Sequence, residues 1–268
     1  MEPITYPTPG TLRLSVEIPA GTVDVSSSET AETVLTIEGE RDPDDIRVRF
    51  DPGSGGEHRL RVEYRGRKFG LLGRELHVEV RVPIACAVDV SSGSADLRVR
   101  GRVRSVSFRT GSGDLRFDEV DGDVEVKTAS GDVQGSEAQG DVVAHGASGD
   151  LHVSRVGGRL IVRTASGDIG VDSANAGVNV TTVSGDVRLG SIVAGETVVR
   201  TVSGDAELGV AAGARVFLDL NTTSGDASSD LEPGQDDGAA DVDLSVRVSS
   251  VSGDIRVRRA PAREQRSA

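Results

Sequence analysis

A tripeptide, Ser-Gly-Asp, recurs at regular intervals along most of this 268-residue chain. The first five copies are 18 residues apart, and the later gaps are 19, 21 and 28 residues. A period of this length is typical of architectures in which one small structural unit stacks on its neighbours. The copies end at Asp114, Asp132, Asp150, Asp168, Asp186, Asp205, Asp226 and Asp254.

Apolar and polar residues alternate on both sides of each Asp. Pairs such as Ile169 and Val171 follow it, and pairs such as Val178 and Val180 precede it. Alternation with period two indicates strands with one buried face, and one repeat alone cannot bury that face. The sequence therefore predicts an all-β fold, a single-stranded β-solenoid or β-helix with about two short strands per 18-residue repeat. Its coils would lie about 4.8 Å apart.

Ser-Gly-Asp is predicted to form the turn at one side of each coil. Glycine takes positive φ without steric cost, and the flanking Ser and Asp can bond neighbouring backbone groups. A second turn is predicted halfway along each repeat, for example at Gly122-Asp123 and Gly140-Asp141. The Thr four residues before the Asp should form a ladder, inward or at a corner, satisfied by its neighbours. Its members are Thr110, Thr128, Thr164, Thr182, Thr201 and Thr222.

Three regions are predicted along the chain. Residues 1-94 contain strands without clear repeats and would form an irregular N-terminal part or cap of the solenoid, with a separate small β-domain as the alternative. Residues 95-258 would form the regular repeat array, in which 229-243 is an acidic loop or a lid over the terminal coil. Residues 259-268 would form a disordered polar tail.

Charge and hydropathy restrict the classes of partner and the cellular location that the sequence predicts. The formal net charge of -13, from 30 basic and 43 acidic residues, argues against nucleic acid and against anionic membrane surfaces. No stretch approaches the roughly 20 apolar residues of a membrane helix, and the N-terminus lacks the apolar region of a signal peptide. The sequence predicts a soluble cytoplasmic protein with no membrane span, while a cell-surface role stays open.

The Asp column is the most prominent candidate site. Carboxylates stacked in every coil repel one another, and calcium between coils would relieve this repulsion, as in nonapeptide calcium-binding solenoids. Those solenoids use Gly-Gly-x-Gly-x-Asp loops, whose extra glycines this chain lacks. The Asp residues are therefore predicted to hold turns, and neither a metal nor a cofactor is predicted. A calcium-stabilised surface adhesin is the alternative.

No residue is predicted to be catalytic, and the chain is not expected to be an enzyme. Polysaccharide-degrading β-helices cluster acidic and basic groups on one lateral face, whereas here acids recur in every repeat. His58, His77, His145 and His152 have no convincing partners in the sequence, and the last two are expected at the surface. Cys86, the single cysteine, is interpreted as a small core residue. A carbohydrate-active β-helix enzyme is the alternative.

A loop-like segment between Tyr64 and Glu75 mixes basic and apolar residues. It is predicted to fold Phe69, Leu71 and Leu72 over the end of the solenoid. A contact surface for a partner or a membrane is the alternative interpretation.

The repeated TxSGD[VIL] units resemble a bacterial family of domains of unknown function whose members are described as "putative adhesins". The segment LHVEVRVPIACAVDVSSGSADLRVRG, from Leu76 to Gly101, also resembles that family, in which a strand ends in Val-Pro before the repeat array. The resemblance implies a β-helix-like fold and supplies no catalytic residues. The predicted function is a non-enzymatic scaffold or adhesin-like interaction module that binds a protein partner or a second copy of itself.

Overall fold

The computed structural model describes residues 2–39, 45–53, 55–66, 75–231 and 243–261. The apolar residues Phe69, Leu71 and Leu72, most of the predicted acidic loop, and most of the predicted tail lie outside these ranges. Within them, the regular structure is β, and no helix is long and apolar enough to cross a bilayer.

The described residues contain 23 strands joined in one sheet. The first seven precede the regular repeats: β1 (Ile4–Pro7), β2 (Thr11–Ser28), β3 (Glu32–Glu38), β4 (Ile46–Asp51), β5 (Glu57–Tyr64), β6 (Leu76–Pro83) and β7 (Cys86–Val103). The other strands come two to a coil: β8 (Ser105–Ser112), β9 (Leu115–Val120), β10 (Val124–Ser130), β11 (Val133–Ala138), β12 (Val142–His145), β13 (Leu151–Val156), β14 (Leu160–Arg163), β15 (Ile169–Ala174), β16 (Val178–Thr181), β17 (Val187–Ile192), β18 (Gly195–Arg200), β19 (Ala206–Val210), β20 (Val216–Ser224), β21 (Ala227–Ser229), β22 (Leu244–Ser252) and β23 (Ile255–Arg259).

Strands of successive coils pair in parallel at the spacing of the repeat. Val124, for example, lies beside Val106 in the preceding coil and beside Val142 in the following coil. The strands β8, β10, β12, β14, β16, β18, β22 and β20 form what we call the first face of the solenoid. The strands β9, β11, β13, β15, β17, β19, β23 and β21 form the second face. The predicted all-β solenoid with two short strands per repeat is confirmed.

A single hydrophobic core runs between the two faces. Val178 and Val180 are 2% and 0% exposed, as the period-two pattern predicts. Side chains of different size compensate between neighbouring coils: Phe117 pairs with Gly135, where an added Cβ would lie only 2.1 Å from the Phe117 ring. Such compensation keeps a thin core filled without voids.

The coils at both ends are not stacked in the order of the sequence. The long strand β2 lies between β7 on one side and β5 and β6 on the other. At the opposite end, β22 lies between β18 and β20, and β23 lies between β19 and β21. The first and last coils of the chain are thus each inserted one place inward. Each gains strand partners on both sides, which protects the chain-terminal coils from fraying.

The two ends of the solenoid differ in how the sheet stops. At the N-terminal end, antiparallel strands continue both faces: β4 pairs with β5, and β3 pairs with β6 and then with β1. We call this the capped end. At the other end the parallel coils stop without such strands, and within the part of the chain that the structure describes β20 and β21 pair on one side only, as the outermost strands β1 and β4 do at the capped end. Unpaired strand edges offer free backbone donors and acceptors.

Candidate functional site

The Asp of each Ser-Gly-Asp turn binds the backbone of the neighbouring coil. The Asp168 amide donates to Asp150 Oδ1 at 2.8 Å, and the Asp186 amide donates to Asp168 Oδ1 at 2.9 Å. These bonds form a continuous ladder through Asp96, Asp114, Asp132, Asp150, Asp168, Asp186, Asp205, Asp254 and Asp226. Every carboxylate of the ladder except that of Asp226, its last member, therefore faces an N–H dipole. This interaction offsets the repulsion between the stacked charges.

Metal binding is not needed to hold this ladder together. Among the described residues, no group of three or more His, Cys, Asp or Glu side chains could hold a metal ion. Calcium requires several convergent oxygens, whereas one oxygen of each laddered carboxylate already accepts an amide.

We expect the melting temperature to be unchanged by a chelator and by added calcium, because an amide of the next coil already binds one oxygen of each ladder carboxylate and stabilises its charge. Circular dichroism melts with EDTA, calcium chloride and magnesium chloride provide the measurement, with magnesium as the control for a general divalent effect. A rise of many degrees that is specific to calcium would restore a cation between the coils.

The threonine ladder lies at the corner that precedes each Ser-Gly-Asp turn. Thr182 and Thr201 are 2% and 4% exposed. Their hydroxyls and that of Thr164 donate to the carbonyl of the Ser two residues later, at 2.9 to 3.2 Å. Gly146 interrupts the ladder, and the neighbouring Thr128 hydroxyl has no hydrogen-bond partner. The ladder is thus inward or at the corner, as predicted, with hydroxyls that bond mainly within their own turns.

The prediction that the histidines lack partners is wrong for His58 and His77. His58 is buried, with Nε2 3.0 Å from the Pro9 carbonyl and its ring stacked on Phe50. His77 Nδ1 contacts Thr22 Oγ1 at 2.5 Å. The partners of these two histidines are distant from them in the sequence, except for Phe50, so local sequence patterns do not indicate the contacts. His145 and His152 point outward from β12 and β13, in keeping with the prediction of surface residues.

A threonine, a histidine and an aspartate meet at His77, in a combination that invites comparison with nucleophilic catalysis. A catalytic relay uses both ring nitrogens, one for the nucleophile and the other for the carboxylate. Here Asp24 Oδ2 lies 3.7 Å from Nδ1, the same nitrogen that Thr22 contacts. Asp24 also accepts a hydrogen bond from Arg100 at 3.2 Å. The cluster is a polar network on the sheet that contains the Arg100–Asp24 ion pair, and it does not have the geometry of a relay.

Cys86 lies in the core, as predicted. Its side chain is 0% exposed, and burial raises the pKa of its thiol to about 12. Because the thiolate is the reactive form of cysteine, this thiol is a poor nucleophile in the folded protein.

The last coil in space, formed by β20 and β21, carries apolar side chains that no further coil covers in the described residues. Leu218 and Leu220 occupy the same inward columns as Val246 and Val248 of the adjacent coil. The two valines are 0% exposed, whereas the two leucines are only half-buried. Phe217, beside them on the outer surface, is 50% exposed. We call this region, with the free edges of β20 and β21, the open end.

Comparison with known proteins identifies a family model and several solved structures. The model described as Toastrack DUF4097 matches residues 13–258. It confirms the predicted kinship with a family of domains of unknown function. No curated protein matches the chain.

Three solved structures are similar over most of their length. A "putative cell adhesion protein" from Clostridium sporogenes is 11% identical, with a TM-score of 0.28, and the match covers 96% of this chain and 99% of that one. A "putative adhesin" from Bacteroides fragilis is 12% identical, with a TM-score of 0.41 and 95% of each chain covered. A "putative lipid binding protein" from Parabacteroides distasonis is 16% identical, with a TM-score of 0.44, and the match covers 94% of this chain and 96% of that one.

Proposed function

The chain belongs to the Toastrack DUF4097 family, and from the surfaces of its solenoid we propose that it is a non-enzymatic interaction module that associates through its open end with a second copy of itself. Such an association is compatible with a scaffold in the cytoplasm, which is the location proposed from the sequence. It is equally compatible with an adhesin at the cell surface.

The use of the repeated polar groups supports a role without catalysis. The Asp carboxylates of the turns accept amides from the next coil, and several Thr hydroxyls donate to backbone carbonyls of their own turns. Hydrogen bonds of this kind stabilise the coils, which gives the repeated polar residues a structural role.

The observation that carries the proposal is the contrast between the two ends. At the capped end, antiparallel strands continue both faces beyond the parallel coils, and the outermost strands β1 and β4 are only four and six residues long. At the open end, a nine-residue strand, β20, presents an edge that is free in the described residues, beside the half-buried Leu218 and Leu220. Proteins normally cover or charge such an edge, because it pairs readily with another chain.

A second copy fits this end because a two-fold axis would place the same edge against itself in an antiparallel pair. If the pair is centred on Leu220, Asp219 lies opposite Asn221 of the other copy, and Phe217 lies opposite Thr223. No like charges then face each other directly across the pair, and opposed like charges would be destabilising. The apolar residues of the two terminal coils would cover one another, as the coils within each solenoid do.

We expect the chain to sediment at twice its monomer mass of 27.8 kDa, and the variant Leu218→Lys to sediment as the monomer. An inward-pointing charge on an edge strand is a device by which natural sheets prevent edge-to-edge association. Sedimentation velocity over a range of concentrations provides the measurement.

The matched control is Ile4→Lys, which places the same charge on the edge strand β1 of the capped end, where Ile4 is 37% exposed. This variant should remain dimeric. A wild-type chain that is monomeric at all concentrations would reject self-association, and a dimer broken by Ile4→Lys would assign the contact to the capped end.

A further inference from the structure

A line of positive charge crosses the outer surface of the first face. Arg109 lies beside Lys127, Lys127 beside His145, and His145 beside Arg163. Thr181 separates Arg163 from Arg200 in the following coils. We call Arg109, Lys127, Arg163 and Arg200 the basic column. Its cations are stacked by the strand spacing of about 4.8 Å per coil, over about 24 Å in all.

The far half of this column has no counter-charge. Arg163 and Arg200 are exposed, and their guanidinium groups make no ion pair or hydrogen bond within the residues that the structure describes. Arg109 and Lys127 instead share Glu125, at 3.4 and 2.6 Å. In a chain with a formal net charge of -13, aligned arginines without acidic partners form a local positive potential against the overall charge.

The column leads into a groove near the capped end. The groove has a volume of about 650 Å³. Arg13, Arg49, Arg59, Arg61 and Arg109 line it, together with three acidic residues. Arg109 belongs to both features, so the groove adjoins the column, and we call the two together the basic track.

Apolar side chains flank the column on both sides. On one side, Val143, Ile161 and Val198 occupy the outward position two residues before the column in their strands, and Asn179 lies between Ile161 and Val198 in the same row. On the other side, Val183 and Val202 are 52% and 46% exposed at the corner. The far part of the column therefore has aliphatic neighbours on both sides, with Asn179 as an interruption on one of them.

We propose that this basic track binds an extended acidic polypeptide in which acidic and aliphatic residues alternate. Guanidinium groups bind carboxylates through paired, charge-assisted hydrogen bonds. Successive side chains of an extended segment project to opposite sides of its backbone. A segment that lies between the column and the row of Val143, Ile161 and Val198 would therefore direct its acidic side chains to the column and its aliphatic side chains to that row. About seven residues, at about 3.3 Å each, would span the column.

Other polyanions fit the track less well. Single-stranded nucleic acids bind to proteins through aromatic stacking platforms, and neither the column nor the groove lining contains an aromatic residue. An anionic bilayer would be repelled by the net charge of -13 outside this narrow track. A flat membrane would also not reach the arginines inside the groove.

The test uses fluorescence anisotropy with a labelled peptide of alternating Glu and Val, about ten residues long, which exceeds the span of the column. We expect this peptide to bind the full chain, and a matched Lys-Val peptide not to bind. The double variant Arg163→Glu with Arg200→Glu should weaken the Glu-Val complex by at least about tenfold, because two favourable charges become repulsive.

The matched control is Arg116→Glu with Arg258→Glu, which makes the same charge change at exposed positions of the second face. It should bind as the wild type does, and circular dichroism should show both double variants folded. Binding should also survive Leu218→Lys, which separates this proposal from association through the open end.

Three results would overturn the proposal. The first is no binding of the Glu-Val peptide, and the second is an equal loss in both double variants, which would reduce binding to the overall charge. The third is tighter binding of heparin, of single-stranded DNA or of phosphatidylglycerol vesicles than of the peptide, which would assign the track to that class of polyanion.

Discussion

Val180→Asp is expected to lower the free energy of unfolding by about 4 kcal/mol, because it leaves an unpaired charge in an apolar core. Val180 is 0% exposed, and in its column it lies between Val162 and Val199 of the adjacent coils. These two neighbours are themselves apolar, so they offer no partner for the introduced charge. Equilibrium unfolding in urea, followed by circular dichroism, gives the change in stability.

The matched control lies one residue away. Asn179 is on the same strand but points outward and is exposed, so Asn179→Asp adds the same carboxylate to the outer surface. Its expected effect is within about 0.5 kcal/mol, as for most surface substitutions. A loss below about 1 kcal/mol for Val180→Asp would reject the inward assignment of the whole column.

The features that the sequence predicts well are those that repeat in every coil. Inward columns such as Val162, Val180 and Val199 are visible because burial on one side of a strand imposes alternation with period two. The turns are visible because each coil needs glycine at the same place. Both signals are local, so they survive without knowledge of which strand lies beside which.

The order of the coils at the ends is not predictable from these signals. The gap of 28 residues between Asp226 and Asp254 indicates an insertion in the sequence. In the structure, β22 follows β20 in the sequence but lies between β18 and β20 in the sheet. Alternation specifies which side of a strand is buried, but any coil of the same width can be its neighbour. The choice depends on contacts that only the assembled stack provides.

The Asp ladder shows a similar limit. Sequence reasoning predicts that Asp168 bonds neighbouring backbone groups, without specifying whether these belong to its own turn or to the next coil, and in the structure its carboxylate binds the amide of Asp186 in the next coil. Both arrangements require an Asp at the same position of every repeat, so the repeat alone does not distinguish them. Only the stacking direction, set by the parallel register, decides between them.

The basic column carries a signal that sequence reasoning could have used. Arg109, Lys127, Arg163 and Arg200 each lie five residues before the Asp of a Ser-Gly-Asp turn. Positions with a common offset lie in one row on the surface of a solenoid. Net charge summed over the whole chain hides this row, because the surrounding acidic residues outnumber it.

Gly167→Ala is expected to lower the free energy of unfolding by about 3 kcal/mol, because this turn excludes a side chain in two ways. Gly167 has a φ of +126°, which residues with a Cβ rarely adopt. An added Cβ would also lie 2.1 Å from the carbonyl oxygen of Gly149 in the preceding coil. Relief of this contact requires the two coils to separate, which would break parallel hydrogen bonds on both sides of the turn.

Gly146→Ala is the matched control, and its expected effect has the opposite sign. The φ of Gly146 is not in the left-handed region, and an added Cβ would lie 3.7 Å or more from its neighbours, at ordinary contact distance. Alanine there should raise the free energy of unfolding by about 0.4–1 kcal/mol by restricting the unfolded chain. Urea unfolding of the two variants decides the matter, and Gly167→Ala with wild-type stability would show that the turn relaxes. Because both substitutions restrict the unfolded chain equally, the difference between them isolates the strain that the stacked turn imposes on the folded state.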